Sequence, residues 1–269
     1  MSGDSFQATE QDAARTGAGL ERFVELFGVG IADTKLEDAA AWIVRRAQHR
    51  LQSSVAFLNA HCVNTLYRDE IYKRALAGMD RVFADGSGMR LAARASGIAL
   101  QDNVNGTDLF PVLCRKAAAA GTGLYLLGAR PGIAAAAGQQ MQAVNPGLRI
   151  AGTRDGYFQG EAGEARVIDD INASGADIVL VAMGVPTQEV WIARNRHLLA
   201  APVVIGVGGL FDYYSGRIPR APMALRRMGL EWAWRLAQEP RRLARRYLLG
   251  NIEFMARVAW QRLNRQQAA

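Results

Sequence analysis

Two unbroken apolar runs, Ile178-Val179-Leu180-Val181-Ala182-Met183 and Val203-Val204-Ile205-Gly206-Val207, narrow the folds open to this sequence. A strand with one wet face alternates apolar and polar residues. A run without polar positions suits a strand buried on both faces, as in a parallel sheet covered by helices on each side. The rest of the chain keeps the same rhythm. Strands are predicted over 23–29, 55–59, 81–84, 123–127, 148–152, 178–182 and 203–207. Helices are predicted over 36–50, 63–77, 88–96, 108–120, 133–143, 165–173 and 188–199. The fold class is therefore α/β, a Rossmann-like parallel sheet flanked by helices. With 269 residues, half of them apolar, the chain can bury one large core.

Charge divides the chain. From Arg217 onward there are 12 Arg, no Lys and three acids, a net of +9; the whole chain is +7, so residues 1–216 carry −2. Three regions follow: a flexible leader over 1–22, an α/β domain over 23–216, and an Arg-rich helical appendage over 217–269. In the appendage Leu243, Tyr247, Leu248, Ile252, Met255, Val258, Ala259 and Leu263 recur at helical spacing, with arginines between them and Trp232, Trp234 and Trp260 nearby. That composition suits a helix lying on an anionic membrane surface. It equally suits a terminal helix packed on the core. A nucleic-acid arm is disfavoured, since no nucleic-acid module is present. A free arm would hide its stripe by forming a homo-oligomer. There is no secretory leader and no run of about 20 apolar residues, which gives a cytoplasmic chain peripheral to the inner face of the cell membrane. Cys62 and Cys114 are expected as free thiols.

Ligands of open α/β sheets bind beyond the carboxyl ends of the strands. Those exits read Asn59-Ala60-His61-Cys62, Asp85-Gly86-Ser87-Gly88, Gly128-Ala129-Arg130-Pro131-Gly132, Gly184-Val185-Pro186-Thr187-Gln188-Glu189 and Gly208-Gly209-Leu210-Phe211-Asp212. Asp85 is the sharpest candidate. After an apolar strand its carboxylate can be partly desolvated and basic, or it can cap the next helix; spacing does not separate the two. Asn59 is a ligand contact or a cap, Gln188 a ligand contact or a solvated helix residue, and Asp212 a further cap candidate. Asp-x-Asp, a Gly-x-x-x-x-Gly-Lys loop, Gly-x-Ser-x-Gly and Cys/His clusters are all missing, so neither a metal nor a cofactor is expected. Gly28-Val29-Gly30-Ile31-Ala32-Asp33 lacks the third glycine of a dinucleotide fingerprint and reads as a turn, against an NAD-type oxidoreductase.

A set of motifs then falls in order along nearly the whole chain. They are Phe83-Ala84-Asp85-Gly86, Asn105-Gly106-Thr107-Asp108-Leu109, Gly156-Tyr157-Phe158, Met183-Gly184-Val185-Pro186-Thr187-Gln188-Glu189-Val190-Trp191, Gly206-Val207-Gly208-Gly209-Leu210-Phe211-Asp212, Arg220-Ala221-Pro222 and Gly229-Leu230-Glu231-Trp232 through Glu239-Pro240-Arg241-Arg242. Together they resemble the WecG/TagA/CpsF glycosyltransferases. The resemblance implies an inverting, metal-independent transfer from a UDP-sugar to a polyprenyl-diphosphate-linked saccharide. The sugar would be of N-acetylmannosamine, glucose or uronic-acid type. It implies Asp85 as the base. It implies substrate-binding roles for Asn59, Gln188, Asn103, Thr107, Asp108, Gly184, Gly208 and Asp212, and for Arg235, Arg242 and Arg245 of an appendage that completes the site. The chain departs from the family pattern at Phe57, where threonine is common, and at Asn103, where arginine is common; both bear on the sugar. A non-catalytic membrane adaptor with a vestigial pocket is the competing reading.

Overall fold

The computed structural model describes residues 22–267. Six parallel strands form one sheet in the order β4-β3-β8-β7-β5-β6: β3 (Ser53–Leu58), β4 (Arg81–Ala84), β5 (Gly123–Gly128), β6 (Arg149–Arg154), β7 (Ile178–Ala182) and β8 (Val203–Gly206). Every residue of β3, β5, β7 and β8 is buried, while the edge strand β6 is half-exposed, as the apolar runs require. Side chains alternate between faces. Val55 and Phe57 join a core with helices α1 (Leu36–Gln48), α5 (Gly106–Ala120) and α6 (Ile133–Val144). Ala56 and Leu58 join a core on the other side with α2 (Ala60–Leu66), α3 (Glu70–Ala77) and α4 (Gly86–Ala95). Helices α7 (Gly160–Ala173) and α8 (Thr187–Asn195) cover β5 and β7 on the face opposite α5 and α6.

The predicted strand over 23–29 is a hairpin instead. β1 (Arg22–Leu26) pairs antiparallel with β2 (Val29–Asp33), so the segment read as a turn is a strand, and the turn is Phe27-Gly28. The apolar run had joined two short strands across that turn. The helix predicted over 63–77 is broken: α2 stops at Leu66, and Asp69 starts α3 by accepting from the amides of Ile71 and Tyr72. The helix over 188–199 ends at Asn195 in a short 3-10 turn, Arg196–Leu198. A short helix not foreseen, α9 (Leu210–Tyr214), follows β8. Apart from Arg22, the leader lies outside the described residues.

The appendage is helical, interrupted at Gly229 and at Pro240: α10 (Met223–Arg227), α11 (Glu231–Gln238), α12 (Pro240–Ala244), a π-turn at Arg245–Leu249, and α13 (Gly250–Gln267). It folds back over the domain. Phe254 and Val258 enter the core beside α2 and α4. Asn64 donates to the Gly250 carbonyl at 2.7 Å, and the Gln261 carboxamide bonds the Phe27 amide and the Ser96 hydroxyl. The stripe read from the sequence is therefore split. Leu243 and Val258 point inward, whereas Leu248, Ile252, Met255 and Leu263 face out with Leu249 and Trp260. Phe254, absent from that stripe, is the residue that anchors α13.

Candidate active site

Strand β3 sends its helix α2 to one face of the sheet, and its neighbour β8 sends α9 to the other. Adjacent strands whose helices diverge leave a crevice beyond their carboxyl ends, where ligands of such folds bind. Asn59, Asp85 and the Gly206–Asp212 turn border this crevice, one at each exit of β3, β4 and β8.

Asp85 stands at the N-cap of α4, just before its first residue, but its side chain makes no capping bond. The amide of Gly86, the first residue of α4, is taken at 2.7 Å by the Asn103 side-chain oxygen. The Asn59 carboxamide donates to the Asp85 side chain, 3.0 Å from Nδ2 to Oδ2. Asn59 fills both roles the sequence left open. Its oxygen caps α2 by accepting from the amides of His61 and Cys62, at 3.1 Å each, which turns its nitrogen toward Asp85. Burial pushes the Asp85 carboxyl up to about 6; the Asn59 bond and Arg246 oppose this, while Glu231 and Asp108 add to it. A carboxylate titrating there is ionised at neutral pH yet keeps affinity for a proton, as a general base requires. His61 is pushed the other way, to about 4, by burial and by Arg246 and Arg68, so it is neutral at pH 7.

Gln188 is buried rather than solvated. Its side-chain oxygen accepts from Gly184 at 3.2 Å and Gly208 at 2.8 Å, tying the exits of β7 and β8 together. The three residues meet, and in this arrangement both glycine amides point at Gln188.

Asp108 exchanges bonds with Asn105 at the start of α5, and Thr107 gives its carbonyl to the Tyr214 hydroxyl at 2.6 Å. Asp108 also pairs at 2.9 Å with Arg220, which bonds Glu231 at 3.2 Å, so one guanidinium clips the appendage to the domain. Asp212 is not a cap. It lies in the first turn of α9 and holds Arg217 at 2.7 Å and Arg235 at 3.6 Å. Arg235 is largely buried, lies over the Tyr213 ring at 4.7 Å from the centroid, and reaches Glu239 at 3.7 Å. A methyl group added at Gly209 would sit 2.8 Å from its Nη2, so the missing side chain is what lets the guanidinium reach the turn after β8. Arg242 is half-exposed and paired with Glu239, and Arg245 is exposed. The sequence pattern gave no role to Arg246, whose charge reaches both Asp85 and His61, or to Arg220, Glu231 and Glu189. Arg220, Glu231 and Glu189 lie inside the family motifs. Only folding shows that Arg246 faces the domain. Among the described residues no three His, Cys, Asp or Glu side chains converge as a metal would need.

A helix-covered parallel sheet thus carries a non-capping acid and appendage arginines at its switch point. The model of the WecG/TagA/CpsF family of glycosyl transferases matches residues 24–268, and the chain belongs to that family. A curated relative, the N-acetylglucosaminyldiphosphoundecaprenol N-acetyl-beta-D-mannosaminyltransferase of Bacillus spizizenii (strain ATCC 23059 / NRRL B-14472 / W23), is 37% identical over 174 residues. The match covers 65% of this chain and 66% of the relative, just under two thirds of its length.

Proposed function

We propose that the chain transfers a sugar from a UDP-sugar to a polyprenyl-diphosphate-linked saccharide, with inversion and without a metal, at the cytoplasmic membrane face. The observation that carries this is Asp85: desolvated, spared from capping, and aimed by Asn59. Asp85 takes the proton of the acceptor hydroxyl as that oxygen attacks the anomeric carbon from the side opposite UDP. The C–O bond to the diphosphate breaks, and the charge left on UDP is offset by Arg235 and by backbone amides at the strand exits. The relative's printed activity, on a lipid-linked acceptor, supports the acceptor class.

The surface of the appendage supports work at a membrane. Ile252, Trp260 and Leu263 are 69%, 58% and 58% exposed, and Arg245 and Arg262 of the same appendage are exposed as well. Among the described residues no helix is long and apolar enough to cross a membrane. An apolar face flanked by guanidinium groups binds anionic lipid peripherally.

The test is UDP release from a panel of UDP-sugars, with a polyprenyl-diphosphate saccharide, a membrane mimic and EDTA. Release with one donor, dependent on the acceptor, supports the proposal. Absence of release with every donor, for a protein that still binds vesicles, turns the balance to the adaptor.

A further inference from the structure

Glu189 is fully buried, and among the described residues no ion pair neutralises it. One oxygen, Oε1, accepts from the Gln188 side-chain nitrogen at 2.7 Å; the other has no hydrogen-bond partner on any other described residue. Burial pushes the acid up to about 7, against the Gln188 bond. Toward α2 and α3 lie Cys62 and Tyr72, close enough that its charge raises both ionisations. A buried acid with an unsatisfied oxygen destabilises a fold, and leucine would fill a similar volume without that penalty. A local rule broken in the wall of a site points to a task there.

The task is legible in the bonds around Gln188. A carboxamide has two ends, an oxygen that only accepts and a nitrogen that only donates. Gly184 and Gly208 each present a donor, and so they need the oxygen. Packing alone does not impose that orientation, because the two ends have nearly the same shape. The carboxylate of Glu189 can only accept when ionised, and so it selects the nitrogen. The amide also lies flat on Gly206, where an added Cβ would be 3.0 Å from Nε2. Held this way, Gln188 brackets the two glycine turns at the exits of β7 and β8.

We propose that Glu189 is a positioning residue of the donor site, acting through the orientation of the Gln188 carboxamide on the Gly184 and Gly208 turns. This rests on the reading that a nucleotide-sugar binds beyond those strand exits. Glu189 touches no ligand. With its acceptor gone, the Gln188 nitrogen is unpaired and the carboxamide is held only by the two glycine amides; the bracket loosens, and donor binding weakens equally in the ground and transition states. The signature is a raised KM with kcat kept.

The experiment compares Glu189→Leu and Glu189→Gln in the full chain, by thermal denaturation and by UDP-release kinetics with the donor that the wild type uses. Glu189→Leu leaves the buried Gln188 nitrogen without an acceptor; it is expected to fold but melt below wild type, and to raise the donor KM tenfold or more, with kcat within threefold. Glu189→Gln keeps an accepting oxygen and is expected to hold the donor KM within threefold. A folded Glu189→Leu with wild-type KM overturns the proposal, as does a tenfold rise in Glu189→Gln. The second reading stands even where the leucine variant does not fold. Wild-type protein that releases UDP from no donor refutes the underlying transferase reading instead, and that result is seen before any variant is made.

Discussion

Replacing Asp85 by asparagine removes the proton acceptor and keeps its shape. Asn59 can still donate to the new side-chain oxygen, so the local bonding survives. The folded-state carboxyl titrates near 6, about two units above an ordinary aspartate, chiefly because it is buried. Between those values the folded protein holds a proton that the unfolded chain has lost. Stability contributed at this position therefore falls as pH rises from about 4 to about 6, by about 3 kcal/mol in full. Asp85→Asn removes that charge and is expected to be at least as stable as wild type at pH 7 by urea denaturation. Its turnover should drop by about 10²- to 10⁴-fold, the usual contribution of a positioned base. In the wild type, kcat/KM should rise with pH through about 6, with roughly a tenth of the plateau remaining at pH 5. The variant's residual rate should be flat across that range. The assay is UDP release at saturating acceptor from pH 5 to 8. A variant within threefold of wild type, or one that keeps the wild-type pH profile, refutes Asp85 as the base.

Gly209→Ala places a methyl against the Arg235 guanidinium and should raise the donor KM several-fold with little change in melting temperature; wild-type kinetics would separate Arg235 from the donor. Glutamate at Ile252, Trp260 and Leu263 together should abolish flotation with anionic vesicles and leave the melting temperature unchanged, because these side chains are exposed; unaltered flotation would remove α13 from the membrane contact. Cys62 and Cys114 are buried and both are pushed upward, Cys62 to about 12, so neither should react with a thiol reagent at pH 8 until the protein is denatured; fast modification of the native protein would mean that the core opens readily.

The apolar runs at β7 and β8 and the strand–helix rhythm determined the parallel sheet, because full burial leaves a local mark that needs no partner to be read. The strand exits were legible for the same reason, and with them Asn59, Asp85 and Gln188. The break between α2 and α3 and the β1–β2 turn were missed because Asp69 and Gly28 act through single bonds and one backbone angle, which an apolar pattern spans without a gap. At the site, residue type and spacing could not say whether Asp85 caps a helix or stays free. The folded chain answers it: the Asp85 side chain makes no capping bond and is met instead by the Asn59 carboxamide at the end of a neighbouring strand. The apolar stripe of the appendage looked uniform because helical spacing reports a face and not what the face meets. Only docking against α2 and α4 separated the inward Val258 from the outward Ile252 and Leu263, and brought in Phe254 from outside the stripe. The sequence thus determined which groups stand at the sheet's edge, since backbone periodicity is local. Which of them are spent on structure and which remain available to a ligand is decided by pairings between distant segments, which exist only in the tertiary fold.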